Sequence, residues 1–403
     1  MLHLLFIPML LLATSSQNPE QPGPHLVGWQ DVQFVDQNFN QGTVRAKIYY
    51  PATTSGNGAA ADPSSGPYPL VNFMHGWLMR AKDYDNLCIH LASHGFVIAS
   101  TDTQSGFFAN TQTYAKDSRS LLHWVEDSAG DPIGWLAGMV DGGDWAAVGH
   151  SMGGGPRSVL IGLEPRVRTI IGLQAADMDP PGPGSVKAFT GGCVWIARSH
   201  DQVVPPGTGR QWYQRALGNS GRNFYFEVVG MGHMGCTDSI PNNEPMSAAE
   251  QMRVHKRLVT SVLRAEQCND DPMYEWLVGG GVSWGQPWVR LNRCFEPILW
   301  GGETPTARGI EVGVIAVAGA TATCAWSAAL GVTGTPFGNA GIDLGQGGIV
   351  GRFPLGGDGI VSWSQYLDPS FSGQLLYFQS AAHKVVGGQL RGALSGVLVV
   401  QVP

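Results

Sequence analysis

Between Gly28 and Gln267 the chain alternates short β-rich runs with amphipathic helical stretches, and that alternation limits the folds open to it more than any other feature. The runs "TVRAKIYYP", "PLVNFMHG", "GFVIASTDT", "WAAVGHS", "VRTIIGLQA", "CVWIARSHD" and "NFYFEVVG" read as strands. Most lack the in-out polar alternation of a half-exposed strand, which is the pattern of a parallel sheet buried on both faces. "AKDYDNLCIHLASHG", "YAKDSRSLLHWVEDS", the stretch after Gly153 and "SAAEQMRVHKRLVTSVLRAEQ" read as helices. The expected fold class is α/β: a mostly parallel, twisted sheet flanked by crossover helices.

After about Pro272 the texture changes. "GGGVSWGQPWVRLNRC" opens a segment with frequent Gly and Pro, no helical periodicity, and short β-rich runs such as "GIEVGVIAVAG" and "SGVLVVQV". A chain of 403 residues exceeds what one hydrophobic core usually serves. The expected organisation is an α/β catalytic domain over residues 16–275 and a small all-β module over 283–403. From Ser283 onward six basic and six acidic residues cancel, so the net charge of −7 belongs to the first part. The aromatics of the module (Trp284, Trp288, Trp300, Trp326, Trp363 and Tyr366) fit either a surface for insoluble polymer or glycan, or the core of a small sandwich.

Two Gly-x-Ser-x-Gly pentads occur, centred on Ser151 in "AAVGHSMGGGP" and on Ser283 in "GGGVSWGQP". With 56 glycines, chance alone supplies roughly half an occurrence, so context must decide. A nucleophilic serine sits on a strained strand-to-helix turn, with glycines two before and two after to relieve crowding. Ser151 has the apolar strand "WAAV" before it and small residues, a first-turn Pro and a helical apolar pattern after it. Ser283 follows three glycines and precedes Pro287, which blocks a helix. Ser151 is the candidate nucleophile.

Such a serine needs a base and a residue that orients the base, in the chain order serine, acid, histidine. After Ser151 come His200, His233, His255 and His383. His255 lies mid-helix, His383 lies in the β module, and His200 precedes a usable acid position. His233, in "VVGMGHMGCTD", follows a strand in a Gly-rich turn that lets its imidazole project over the sheet edge. The acid candidates are Asp177, Asp179 and Asp201. Asp201 falls directly beyond the strand "CVWIARS", at the carboxyl edge where sites of open α/β sheets form. Oxyanion donors are expected from the backbone after the nucleophile, Met152, and from an earlier strand end, where "NFMHGW" points to the Trp77 N–H. His75 and His150 read as structural neighbours of these elements rather than as second bases.

The motifs "YYP", "HGW", "LASHGFVIASTDT", "GHSMGGG", "SHDQVVP" and "GHMGC", in this order, resemble the cutinase-like polyester hydrolases, a group that includes enzymes acting on poly(ethylene terephthalate). "LASHGF" is also similar to the chlorophyllases and the wider dienelactone hydrolase superfamily. The resemblance runs from about Gly42 to Gln267 and implies an α/β-hydrolase fold. It implies Ser151 as nucleophile, His233 as base, Asp201 as orienting acid, and Trp77 and Met152 as oxyanion donors. It also implies a substrate cleft touched by Trp77, Met152, Asp177 and Val203. Polyester hydrolases carry a Trp after the strand that follows the nucleophile helix; here "GLQAADMDPPGPG" puts Asp177 near that position, removing an aromatic wall. Short connections leave no room for a helical lid, so an open cleft suited to bulky or polymeric esters is expected.

The resulting expectation is a secreted serine carboxyl-ester hydrolase working through an acyl-enzyme, with no metal or organic cofactor. A thioesterase or peptidase on the same fold, or a polymer-binding surface protein on a hydrolase scaffold, are the alternatives. Export follows from "MLHLLFIPMLLLATSSQNPEQPGP", which has the layout of a signal peptide cleaved after Ser15, although no Lys or Arg precedes its apolar run. No later segment has the continuous apolar length of a membrane span, and no Lys/Arg cluster suggests nucleic acid. Six cysteines (Cys88, Cys193, Cys236, Cys268, Cys294 and Cys324) are compatible with disulfides. Cys294 with Cys324 and Cys193 with Cys236 are the pairings to test first.

Overall fold

The computed structural model describes residues 18–402 except 37–38, 40–41, 178–182, 217–221, 242, 279–284, 292–297, 304–308, 317–318, 357–358, 368, 387–388 and 396. The predicted leader, Asp179, Ser283, Trp284 and Cys294 fall outside the described residues.

The first part carries strands β1 (Leu26–Val35), β2 (Thr43–Ala52), β3 (Gly56–Asn57), β4 (Leu70–Met74), β5 (Val97–Thr101), β6 (Trp145–His150), β7 (Val167–Leu173), β8 (Gly192–Arg198) and β9 (Arg222–Val228). Its helices are α1 (Asp85–Ser93), α2 (Thr111–Gly130), α3 (Gly154–Leu163), α4 (Pro183–Ala188), α5 (Pro206–Ala216), α6 (Ala248–Gln267) and α7 (Tyr274–Val278). Together with β10 (Gly285–Leu291) the strands form one ten-stranded sheet in the order β10-β9-β8-β7-β6-β4-β5-β2-β1-β3. The run from β5 through β4, β6, β7 and β8 to β9 is parallel. The edges are antiparallel, β2 against β5 and β10 against β9. This mostly parallel sheet with helices on both faces is the α/β-hydrolase architecture.

The missing polar alternation now has its cause. Along β6, Ala146 and Val148 enter one core with α1 and α6, while Trp145 and Ala147 enter the opposite core with α2 and α3. β7 and β8 split in the same way, Ile171 and Val194 to one face and Ile170 and Trp195 to the other. Each residue of β4, β5 and β6 is buried, so a parallel sheet covered twice needs apolar residues in both registers. The helices start where capping residues stand. Asn110 accepts from the Thr113 N–H at 2.9 Å, and Ser247 accepts from the Glu250 N–H at 3.3 Å.

The C-terminal part is all β. A three-stranded antiparallel sheet contains β11 (Ile298–Glu303), β12 (Gly309–Ile315) and β17 (Ile360–Tyr366). A five-stranded sheet joins β16 (Gly347–Pro354), β13 (Thr321–Ser327), β18 (Leu375–Val386) and β19 (Gln389–Leu394), with β20 (Leu398–Gln401) paired to β18. β14 (Leu330–Thr335) and β15 (Gly338–Ile342) form a separate hairpin. Val312 and Val314 share one buried core with Ala322, Cys324 and Phe378. Trp363 stacks on Phe353 at 4.7 Å and Trp326 meets Phe371 edge-on at 5.6 Å, so these two tryptophans flank that core. Ile315 belongs to the same buried core as α1, α6, Met273, Tyr274 and Leu277.

Among the described residues the Cys193–Cys236 pairing is not formed, and the Cys294–Cys324 pairing falls on Cys294, outside the described residues. Cys193 points into the α2/α3 face and Cys236 into the α1/α6 face, with the sheet between them, and Cys236 is a free thiol. Cys324 is also a free thiol, donating to Ser380 Oγ at 3.4 Å. Among the described residues no helix is long and apolar enough to cross a membrane.

Candidate active site

Ser151 stands between β6 and α3 with φ at +51°. A non-glycine residue in that region carries strain on the order of 1–3 kcal/mol, kept only where the surroundings over-determine it. The two pentad glycines show how tightly they do. A Cβ on Gly149 would lie 2.3 Å from the Gly153 carbonyl oxygen, and one on Gly153 would lie 2.3 Å from that of Met74. The spacing of the pentad is thus a packing requirement of the turn, which presents the Ser151 hydroxyl at the carboxyl edge of the sheet.

His233 Nε2 lies 3.0 Å from Ser151 Oγ, and His233 Nδ1 lies 2.8 Å from Asp201 Oδ2. The Asp201 side chain is fully buried just past β8. Its other oxygen, Oδ1, accepts the Val203 and Val204 N–H groups at 2.8 and 2.7 Å. Burial alone would raise the Asp201 pKa, but the His233 hydrogen bond and charge and the two backbone donors outweigh it and hold the carboxyl below its ordinary value. Asp201 is therefore a carboxylate at neutral pH, and its bond to Nδ1–H leaves Nε2 as the acceptor facing the serine.

Of the other acid candidates, Asp177 is exposed and not the partner of His233. It follows Ala176, whose N–H donates to the Ser151 carbonyl at 2.9 Å, so its loop lies against Ser151. The Met152 N–H sits in the first turn after Ser151, where helix starts leave backbone donors without carbonyls. Trp77 follows β4 and the His75-Gly76 pair, and its side chain is 46% exposed. Val203 is also exposed.

The histidines beside the site are bonded into the frame. His150 Nε2 lies 3.0 Å from the His233 carbonyl oxygen, so it must donate there, which makes Nδ1 the acceptor of the Tyr84 hydroxyl at 2.7 Å. Tyr84 in turn accepts the Gly76 N–H at 2.9 Å. Burial, then the charges of His233 and Arg198, push the His150 pKa well below its usual value and keep it neutral. The His75 ring reaches the carbonyls of Gly76 at 2.7 Å and Thr103 at 2.8 Å, fixing the same loop.

Sequence reading did not single out two features. Arg198, fully buried, donates to the His233 carbonyl and to His255 Nε2, the latter at 2.7 Å. Phe107 and Phe108, both exposed, form an aromatic ridge with Trp77. Trp77 and Phe107 rings are 5.2 Å apart, the Trp77 indole donates to the Phe107 carbonyl at 3.1 Å, and Phe108 meets Phe107 edge-on at 5.3 Å. The signal for the ridge was present in "TQSGFFANT": paired phenylalanines in an otherwise polar loop.

A parallel sheet, a serine on a strained strand-to-helix turn, and a histidine and aspartate in line beyond it define an α/β-hydrolase. Within that class the chain belongs to the PET hydrolase-like family, whose profile matches residues 14–269. Cutinase 1 of Thermobifida cellulosilytica is 25% identical over 221 residues, covering 55% of this chain and 75% of that protein. Cutinase 2 of the same organism is 28% identical over 212 residues, covering 52% and 71%. Chlorophyllase-1 of Arabidopsis thaliana is 28% identical over 117 residues, covering 25% of this chain and 36% of its own length. The chain thus spans about a third of the chlorophyllase and about three quarters of these two cutinases.

Proposed function

We propose that the protein is a secreted serine carboxyl-ester hydrolase acting through an acyl-enzyme on bulky or polymeric esters. The observation that carries this reading is the unbroken line from Asp201 through His233 to Ser151 Oγ, with contacts of 2.8 and 3.0 Å. Ser151 Oγ adds to the ester carbonyl carbon while its proton passes to His233 Nε2. The oxyanion accepts the N–H groups of Met152 and Trp77. Collapse breaks the ester C–O bond, and the departing alcohol takes the proton from His233. Water then repeats the sequence on the acyl-enzyme, giving its proton to His233 and releasing the acid and Ser151. Asp201 stabilises the imidazolium at each stage.

The substrate class follows from the ridge of Trp77, Phe107 and Phe108 beside the oxyanion loop, and from the family and its cutinase relatives. Three exposed aromatic rings, tilted against one another, offer apolar faces and edges to an extended acyl or aryl unit. Export rests on the N-terminal apolar run that ends at the small residues Ala13 and Ser15. The test is hydrolysis of a short-chain p-nitrophenyl ester by the mature chain and by Ser151→Ala. Loss of activity in a folded variant, with a burst of p-nitrophenol from the parent, is expected. Equal activity in both would remove Ser151 from the chemistry.

A further inference from the structure

The C-terminal module holds a cavity of about 400 Å³, within the range of roughly 300–1,000 Å³ typical of small-molecule sites. Its floor is the outer face of the five-stranded sheet. There Thr323 stands between Arg352 and Ala381, and Ala325 between Ile349 and Gln379. Its roof is the β14–β15 hairpin, which contributes Phe337, Ala340 and Ile342. Gln379 fastens the roof to the floor, accepting the Gly341 N–H at 2.8 Å and donating to the Ser395 carbonyl at 2.7 Å. At the tip of the hairpin the Phe337 ring stacks on His383, 5.5 Å away and nearly parallel. Gly392 lies beneath, and a Cβ there would meet Phe337 Cε1 at 2.8 Å. The ring lies flat because the strand below it carries no side chain at that point.

The charge of the cavity is one-sided. Among the described residues no Asp or Glu lines it, and Arg352 is the one permanently charged lining residue. Arg352 is exposed, and among the described residues it has no carboxylate partner. We propose that this cavity binds a monocarboxylate, its apolar aliphatic or aryl body lying against Phe337, Ile349, Leu390 and Leu394 and its carboxylate paired with Arg352. A glycan would need more donors and acceptors than this mostly apolar lining supplies, and a polyanion would need more than one cation. An apolar acid is also what ester hydrolysis releases; that source rests on the function proposed above, whereas the ligand class rests on the cavity.

Calorimetric titration of the full chain carrying Ser151→Ala, with octanoate and benzoate against 1-octanol and benzyl alcohol, tests it without turnover. At least one acid binds one site per chain more tightly than its alcohol, and which acid wins identifies the body as aliphatic or aryl. Arg352→Gln weakens the acid by about tenfold or more and leaves the alcohol unchanged. Ala325→Leu, which fills the floor, weakens acid and alcohol together. No acid binding, or acid binding insensitive to both substitutions, overturns the proposal. Failure of the unsubstituted chain to hydrolyse any ester would sink the esterase reading and leave this one standing.

Discussion

The guanidinium of Arg198 donates to the backbone carbonyl of His233, the residue whose ring joins Asp201 to Ser151, and reaches His255 Nε2 at 2.7 Å on its other side. Arg198 ends β8, three residues before Asp201, so one strand supplies both the carboxylate that orients the His233 ring and the cation that holds its backbone. Burial pushes the Arg198 pKa down to about 10, which still leaves it charged at neutral pH. The two acceptors, together with the His150 N–H on the same carbonyl, fix where the His233 turn can sit.

Arg198→Met therefore loosens the base without touching substrate. The expected result is a fall in kcat of about tenfold, with KM for a p-nitrophenyl ester nearly unchanged, since about 1.4 kcal/mol of lost positioning corresponds to tenfold in rate. Arg198→Lys keeps a donor for the carbonyl and recovers part of the loss. An unchanged kcat in a folded Arg198→Met chain would show that the His233 turn holds its position without the guanidinium.

Tyr84 is the link between the two halves of the site. It accepts from Gly76 N–H and donates to His150, whose other nitrogen holds the His233 carbonyl. Tyr84→Phe keeps the buried ring but strands two polar groups, a cost of about 1–3 kcal/mol in stability. Thermal unfolding should report the lower Tm. Steady-state kinetics should show kcat falling with it, because the oxyanion loop and the base turn lose their common anchor. A lower Tm with full kcat would make the link purely structural.

Asp201 gives a stability signature as well as a kinetic one. Its folded pKa lies below its ordinary value, so the folded state favours the carboxylate. That contribution is fully present above the unfolded pKa, near about 3.9, and is lost as pH falls through the folded value. Asp201→Asn lacks it. The Tm gap between parent and variant should be widest near neutral pH and close below about pH 3–4. Activity should fall by about 10³–10⁴, because the amide no longer enforces the tautomer that leaves Nε2 free. A Tm gap independent of pH would contradict this account.

The central strands, helices α1, α2, α3 and α6, and the Ser151–His233–Asp201 alignment were legible because each rests on local chemistry, whereas α4, α5 and α7 were not read. Strands buried on both faces are apolar in both registers apart from a few hydrogen-bonded residues such as Asn72, and the turn at Ser151 tolerates only glycine at 149 and 153. β1 escaped notice because it is a sheet-margin strand with exposed polar positions, as in "GWQDVQ", and so lacks the continuous apolar signature. Arg198 escaped for a different reason. In sequence it is a charged residue at a strand end, ordinarily solvated, and only the fold reveals that helix α6 brings His255 over it. The Cys193–Cys236 pairing failed because even number and spacing carry no information about which face of a sheet each thiol enters.

Removing everything after Val278 should harm the α/β domain itself. β10 pairs along the whole of β9, from Gly285 opposite Val228 to Leu291 opposite Arg222, and so covers that edge. Ile315 is part of the same buried core as Met273, Tyr274 and Leu277. Truncation exposes an unpaired strand edge and an apolar patch together, both sources of self-association. Light scattering on heating should show aggregation at a temperature several degrees below that of the full chain. Equal Tm and solubility would mean that the α/β domain closes its own edge.

Under the proposed function, the aromatic ridge should separate binding of large esters from chemistry on small ones. Phe108 is 93% exposed and touches Phe107, which in turn packs on Trp77 in the loop after β4. An exposed Phe costs the folded state little to replace, so Phe108→Ser should fold normally. Stacking of an extended aryl or acyl unit on such a ring contributes on the order of 0.5–1.5 kcal/mol, which is about two- to tenfold in affinity. With a suspended polyester film, product release by Phe108→Ser should drop by that factor, and the double variant Phe107→Ser/Phe108→Ser should drop further. On p-nitrophenyl acetate, too small to reach the ridge, both should retain the kcat of the parent. A parallel loss on film and acetate would mean instead that the ridge shapes the oxyanion loop through Trp77.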